Sequence, residues 1–158
     1  MNRTLTLPNL FLFVAALVAL ASCADEPRDV EKPAITTDGI TAQPTDCDAY
    51  RSGDTIHVCY RLTDNVELGN FNLEIHTNHD HHTHSTSAVE CDLEPESHPD
   101  NPWVLNRDYA IPAGTRDYVI SEDIVVPDGC VTGDYHFMIR VTDRAGWQVF
   151  RSVANKVQ

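Results

Sequence analysis

The stretch Thr55–Leu62, with the sequence TIHVCYRL, is the clearest fold signal in this chain of 158 residues. Apolar side chains take every second position, at Ile56, Val58, Tyr60 and Leu62, and the positions between them are polar or small. A period of two is typical of a β-strand that has one face on a core and the other toward solvent. The stretch therefore predicts a half-buried strand.

The same alternation recurs on both sides of this stretch. It predicts strands at 70–76, 118–126, 134–141 and 147–153, with a short edge strand at 34–36. Gly, Pro and Asp separate these segments, and no stretch of useful length has the 3.6-residue period of an amphipathic helix. We therefore expect an all-β protein, an antiparallel β-sandwich of about seven strands.

The first 22 residues predict an export signal. They contain one charge, Arg3, and an apolar run from Leu10 to Leu20, which is too short for a membrane-spanning helix of roughly 20 residues. The next residues, LASC at 20–23, resemble the lipobox of bacterial lipoproteins, in which cleavage before the cysteine leaves Cys23 as the lipidated amino terminus. The alternative is an ordinary secreted protein that is cleaved near Ala21 or Ala24, with Cys23 incidental.

Residues 23–46 are predicted to be the lipidated cysteine and a tether, and residues 47–158 the folded domain. Acyl chains contribute about 0.8 kcal/mol per buried CH₂, so several of them on Cys23 would anchor the protein permanently. Asp25 and Glu26 follow the cysteine and resemble the surface-export signal of Bacteroidota lipoproteins. We therefore expect attachment to the outer membrane, on either its periplasmic or its exposed side.

The net charge of the chain limits the classes of partner that it can bind. The formal net charge is −13, and loss of Arg3 with the signal peptide leaves 10 basic against 24 acidic residues, or −14. Such a surface repels nucleic acid and attracts cations. We expect no nucleic-acid partner.

Histidines are concentrated in one segment, EIHTNHDHHTH at 74–84. Neutral imidazole is the commonest protein ligand for zinc, copper and nickel, and five imidazoles within nine residues can supply a whole first coordination shell. The segment therefore predicts a transition-metal site. Its candidate ligands are His76, His79, His81, His82 and His84, with Glu74 as a ligand or as a partner that fixes an imidazole tautomer.

Several phrases of the sequence resemble known domains. LTDN at 62–65, GDYHF at 133–137 and VTDRAG at 141–146 resemble the strand-and-turn phrases of bacterial immunoglobulin-like domains. With the lipobox and the Glu-Ile-His at 74–76, the chain resembles, over roughly residues 33–155, a family of small Bacteroidota lipoproteins of unknown function. The resemblance implies an immunoglobulin-like, fibronectin-III-like sandwich on a lipid anchor and carries no established activity.

This topology predicts a long-range partner for the histidine segment. If 55–62, 70–76 and 134–141 are strands B, C and F of an immunoglobulin-like sandwich, C and F are antiparallel neighbours. His76 and His136 then lie at the same end and on the same outward face, with Cβ atoms about 5 Å apart. We expect them to share a metal ion with His79 or His81 arching back from the loop. The alternatives are loose chelation by a solvated loop, and no physiological metal at all.

The cysteines predict disulfides. With Cys23 lipidated, four cysteines remain in an oxidising compartment, which allows two disulfides in three connectivities. The loops before strands B and F share one end of such a sandwich, so we favour Cys47–Cys130, which leaves Cys59 with Cys91. Ligation of metal by these thiols is disfavoured, because the chain has no Cys-x-x-Cys pair.

Two classes of function remain. The sequence lacks the Gly-x-Ser-x-Gly, His-Glu-x-x-His and phosphate-loop motifs, so we expect no enzyme, although a hydrolase with three histidines around one metal would look the same in sequence. The first hypothesis is a lipid-anchored envelope protein that captures, buffers or handles Zn, Cu or Ni. The second is a structural or adhesive module that holds an envelope protein or glycan, using the Pro-rich 91–115 segment. Trp103 in that segment packs on the core or offers a stacking surface.

Overall fold

The computed structural model describes residues 28–84 and 91–158. Within these residues the chain forms eight β-strands and no helix. The expected signal peptide and Cys23 lie outside the described residues. The strands are β1 Ala34–Thr36, β2 Asp48–Tyr50, β3 Thr55–Thr63, β4 Leu68–Thr77, β5 Leu105–Ala110, β6 Asp117–Val125, β7 Gly133–Asp143 and β8 Gln148–Val157.

The strands form two sheets, which confirms the predicted all-β sandwich. One sheet has three antiparallel strands in the order β1-β3-β6, and the other has five in the order β2-β8-β7-β4-β5. The short β2 runs parallel to β8, whereas the other pairs of the five-stranded sheet are antiparallel. Because β1 pairs with β3, the sandwich includes part of the 23–46 segment.

The buried faces of the two sheets meet in one hydrophobic core. β3 buries the four apolar side chains that its alternation predicted. Burial of each large apolar side chain stabilises the fold by roughly 1.5–3 kcal/mol. Fully buried side chains from both sheets fill this space, among them Tyr60, Leu62, Phe71, Leu73, Ile120, Ile124, Phe137 and Ile139.

Strand β7 is covered on both faces, unlike its neighbours. All seven residues from Gly133 to Ile139 are buried, including those on the face that points away from the core. The segment 78–84 after β4 lies over this outer face, where the Asn78 N–H donates to the Asp134 carbonyl (2.7 Å) and the His82 carbonyl accepts from the His136 ring (3.1 Å). This cover positions the histidines.

The predicted strands are confirmed to within a few residues at their ends, but two strands were not predicted. β2 has only three residues, and β5, LNRDYA, exposes most of its side chains at the edge of its sheet. An edge strand with one neighbour needs no alternating apolar pattern, which is why its sequence reads as a loop. Trp103, just before β5, packs against the core beside Tyr135, with ring centroids 6.2 Å apart.

The favoured disulfide pairs, Cys47–Cys130 and Cys59–Cys91, are wrong. Cys47 is bonded to Cys91, with their Cα atoms 5.5 Å apart, and Cys59 and Cys130 are free thiols. Cys47 lies beside β8, where its N–H donates to the Ala154 carbonyl (2.8 Å). The chain returns to this place after the histidine segment, so Cys91 is the cysteine within reach.

The two free cysteines lie elsewhere in the sandwich. Cys59 is on β3 in the three-stranded sheet, opposite Ser121 of β6. Cys130 precedes β7, and its Sγ lies 3.7 Å from the Tyr135 hydroxyl. Each is part of a different packing environment from that of the disulfide.

Residues 28–84 and 91–158 contain no helix that is long and apolar enough to cross a membrane.

Candidate metal centre

His76 and His136 face each other across the β4–β7 pair. They are direct partners in the antiparallel register, and their ring centroids are 5.6 Å apart. This confirms the predicted neighbouring strands and the predicted juxtaposition of the two rings. Because side chains alternate along a strand, both rings point away from the core, toward the segment that covers β7.

The segment after β4 turns back over these rings. The His81 N–H donates to the Asn78 carbonyl (3.1 Å), and His81 has a positive φ of 54°, which reverses the chain. The Ser97 N–H donates to the His79 carbonyl (3.0 Å) and ties the turn to the following loop. The chain therefore returns over β4 at His82 and His84.

Three imidazoles converge as a result. The Nε2 atoms of His82 and His84 each lie 3.2 Å from Nε2 of His76, and one ligating atom of each residue lies within 4.8 Å of the others. We call these three residues the histidine trio. Two nitrogens bound to one tetrahedral zinc ion at about 2.0–2.1 Å lie about 3.3 Å apart, so this spacing is that of a metal-binding set.

Carboxylates hold the opposite nitrogen of two of these rings. His82 Nδ1 lies 2.6 Å from Asp80 Oδ1, and His76 Nδ1 lies 3.0 Å from Glu74 Oε1. The His76 contact is close enough for electrostatic attraction but lacks the geometry of a hydrogen bond. A bare nitrogen facing a carboxylate oxygen would be repelled, so both Nδ1 atoms carry the proton. The Nε2 atoms of both rings then present lone pairs to the same point.

Burial favours the neutral, ligating form of these rings. It lowers the pKa of His76, against the opposing charge of Glu74, and it lowers the pKa of His84, where charge on His76 and His82 acts in the same direction. Burial also lowers the pKa of His136 to about 4. His76, His84 and His136 are therefore neutral at pH 7.

His136 lies in the cluster but is not one of the trio. Its Nε2 donates to the His82 carbonyl (3.1 Å), so its neutral Nδ1 accepts from the Ser152 hydroxyl (3.4 Å). Its ring packs against His84 and His82, with centroids 4.6 and 5.0 Å away. Instead of turning a nitrogen toward the trio, His136 holds the returning segment in place from beneath.

His79 points away from the trio. Its Nε2 donates to the Thr132 carbonyl (3.0 Å), and its ring packs edge-on against Tyr135, with centroids 5.5 Å apart. A Cβ atom at Gly133, which has a φ of 131°, would overlap this ring. The glycine therefore makes room for His79, which anchors the turn instead of joining the trio.

His81 is likewise directed elsewhere. Its Nε2 donates to the Glu94 carbonyl (2.8 Å), and its Nδ1 lies 3.7 Å from Glu96 Oε1. The residues that arch back over His76 are thus His82 and His84, and not His79 or His81 as predicted. The reason is that the turn at His81 completes the reversal of the chain only after that residue.

Two members of the trio, His76 and His82, border an open cleft of about 380 Å³. A metal ion held by three nitrogens would have a fourth coordination position for water or for an incoming ligand. The exposed His98 lies on the same cleft, whereas the exposed His57 is on the other sheet and pairs with Asp123 (2.6 Å). The cleft is lined by His76, Thr77, His79, Asp80, His82, Ser97, His98, Pro99 and Pro102.

Two supporting residues were not predicted from the sequence. Asp80 holds His82, and Ser152 of β8 contacts His136. The role of Asp80 could have been predicted from the local sequence, because an acid two residues before a histidine can reach its ring within one turn. The role of Ser152 could not, since this residue is more than fifty residues from the histidine segment and approaches it only through the β7–β8 pairing.

Comparison with known protein families identifies the family of this chain. Residues 21–157 match the family described as a domain of unknown function, DUF4625. The chain belongs to the DUF4625 family. The match includes all eight strands of the DUF4625 domain and the trio. No curated protein matches the chain.

Proposed function

We propose that this DUF4625 domain binds one transition-metal ion, Zn, Cu or Ni, through His76, His82 and His84. The supporting observation is the convergence of the three Nε2 atoms, with His82 and His84 each 3.2 Å from His76. Imidazole nitrogens suit all three metals. The role is capture, buffering or handling of the ion and is not catalytic.

The proton positions are the physical reason to expect a cation. Glu74 and Asp80 keep the protons of His76 and His82 on Nδ1, so two lone pairs oppose each other at 3.2 Å. Without a cation this arrangement is repulsive or requires an extra proton between the rings. A divalent ion at that point satisfies both lone pairs, and the carboxylates raise the basicity of the ligating rings.

The proposed location is the cell envelope. Lipid on Cys23 would attach the domain to the outer membrane, and the tether would present it to the periplasm or the exterior. The formal charge of −14 without the signal peptide would concentrate cations near the surface. The open cleft beside His76 and His82 would admit the ion and leave one coordination position for exchange.

The test is a metal titration of the chain from residue 24, which retains all of the described residues. The oxidised, metal-free protein is titrated with Zn²⁺ and with Cu²⁺ against a chromophoric competitor at about pH 7.5 and pH 5.5. We expect one ion per chain, with weaker binding at the lower pH because protonated imidazole cannot ligate.

Two variants distinguish a specific metal site from loose chelation by a flexible histidine segment. His84→Ala removes one of three ligands from a loop position, so we expect an affinity loss of about a hundredfold or more with the fold intact. His57→Ala, which removes an exposed histidine on the other sheet, is the matched control and should bind normally. Weak binding of several ions that is indifferent to His84 would contradict the proposal and favour the adhesive module.

A further inference from the structure

A second ligand set lies at the opposite end of the sandwich. Asp64 directly follows β3, Asp143 ends β7, and Asp29 comes from the segment before β1. One carboxylate oxygen from each lies within 4.8 Å of the other two. His136 and Asp143 are seven residues apart on β7, so this cluster is about 23 Å from the histidine cluster.

Two of these carboxylates have a buried oxygen without a partner. Asp143 is 4% exposed, and its Oδ1 accepts from the Trp147 N–H (2.8 Å) while its Oδ2 has no hydrogen bond. Asp64 Oδ1 accepts from the N–H groups of Val66 and Glu67, and its Oδ2 is also buried and unpaired. An unpaired buried charge is costly unless a cation lies beside it.

The protein itself does not supply that cation. Within residues 28–84 and 91–158, no Lys, Arg or His nitrogen lies within 4.0 Å of any of the three carboxylates. The two arginines of the adjoining loops are engaged elsewhere. Arg144 Nε pairs with Glu67 Oε1 (3.1 Å), and Arg116 Nε donates to the Val66 carbonyl (2.9 Å).

We propose that Asp29, Asp64 and Asp143 bind a calcium ion. Ca²⁺ prefers oxygen ligands at about 2.3–2.6 Å, so two oxygens on one ion lie at most about 5 Å apart, as they do in this cluster. Its six to eight positions leave room for water beside three carboxylates. Carboxylate oxygens suit Ca²⁺, whereas imidazole nitrogens suit Zn, Cu and Ni, so the two sites differ in the ions that they match best.

The ion would attach the tether to the domain. Asp29 is the only one of the three ligands that precedes the first strand, and its carbonyl accepts from the Trp147 Nε1–H (3.2 Å). The calcium ion adds a second attachment at the same residue. Calcium therefore fixes the direction in which the chain leaves the sandwich toward the expected anchor.

The test uses Ca²⁺ and its luminescent substitute Tb³⁺ on the chain from residue 24. We expect Ca²⁺ at about 0.1 to 1 mM to raise Tm, an affinity range typical of extracellular modules. Trp147 touches two of the three ligands, so Tb³⁺ emission excited through tryptophan should be lost in Trp147→Phe while the calcium-induced rise in Tm persists.

Charge-removing variants locate the ion. Asp29→Asn removes a ligand from outside the two sheets, so folding is retained and we expect at least a tenfold loss of calcium affinity. Asp128→Asn removes the same charge from an exposed turn at the other end and should bind as the parent does. No calcium-induced rise in Tm at about 10 mM, or equal rises in both variants, would overturn the proposal. His84→Ala should bind calcium normally, so this result is separate from that of the histidine trio.

Discussion

Each histidine of the 76–84 segment has two ring nitrogens, and the partner of one decides what the other can do. In His79 and His81, Nε2 donates a hydrogen bond to a backbone carbonyl, which fixes the turn. In His82 it is Nδ1 that donates, to the Asp80 carboxylate, so the Nε2 lone pair is available beside His76. Histidines that are equivalent in the sequence are thus divided into anchors and candidate ligands by the contacts of the second nitrogen.

Asp80→Asn tests this division. The change keeps an oxygen that can accept from His82 Nδ1 but removes the charge that makes the ring more basic. We expect metal affinity to fall by about tenfold or more with Tm of the metal-free protein unchanged, because Asp80 is exposed. Competition titration measures the affinity, with Asp128→Asn as the control for loss of one negative charge. Equal affinity in the two variants would contradict the role of Asp80.

The strands differ in how far the sequence predicts them. β3, β4, β6, β7 and β8 have one face on the core, so alternation reveals them, whereas β5 lies at an edge and shows no such pattern. The β4–β7 neighbourhood predicted His76 beside His136, since register follows from the strand pattern. The choice of His82 and His84 did not follow, because the path of the loop depends on hydrogen bonds to residues that are distant in sequence.

The disulfide pairing also depends on the path of a loop, which the sequence does not predict. Four cysteines allow three pairings, and the path of the loop between β4 and β5 selects Cys47–Cys91. Alkylation of the unreduced, unfolded chain from residue 24, which lacks Cys23, should label Cys59 and Cys130 only, as mass spectrometry of its peptides will show. Closure of a loop with a sequence separation of 44 stabilises the fold by about 4 kcal/mol in the chain-entropy description.

Removal of the disulfide should therefore be costly. We expect the double variant Cys47→Ala/Cys91→Ala to lose about 4 kcal/mol of unfolding free energy in urea titrations. Cys59→Ala/Cys130→Ala, with the same number of changes, should lose less. The reverse order of stability would contradict the pairing.

At the scale of the whole sandwich, the two candidate ion sites occupy opposite ends of one hydrophobic core. The histidine trio joins β4 to the segment that covers β7, and the carboxylate cluster joins the far ends of β3 and β7 to the tether. Sites about 23 Å apart with no shared ligand are expected to act independently.

This independence is measurable. An ion that binds only the folded state adds RT ln(1 + [L]/Kd) to stability, so the zinc and calcium increments should sum to within about 0.5 kcal/mol. Urea unfolding with neither ion, with each ion alone and with both gives the four values. A combined increment far from the sum would show that the two ends communicate or that one ion occupies both sites.

The place of Cys91 bears on when the trio can assemble. The disulfide fixes the chain just beyond the histidine segment, so the segment is held at β4 on one side and at Cys47 on the other. In a reducing cytoplasm that second attachment is absent, and the histidines lie on a longer, looser loop. If residues 1–22 export the chain as predicted, we expect newly made chains to leave the cytoplasm without metal and to acquire it only after oxidation, which would keep the protein from competing with cytoplasmic enzymes for their own ions.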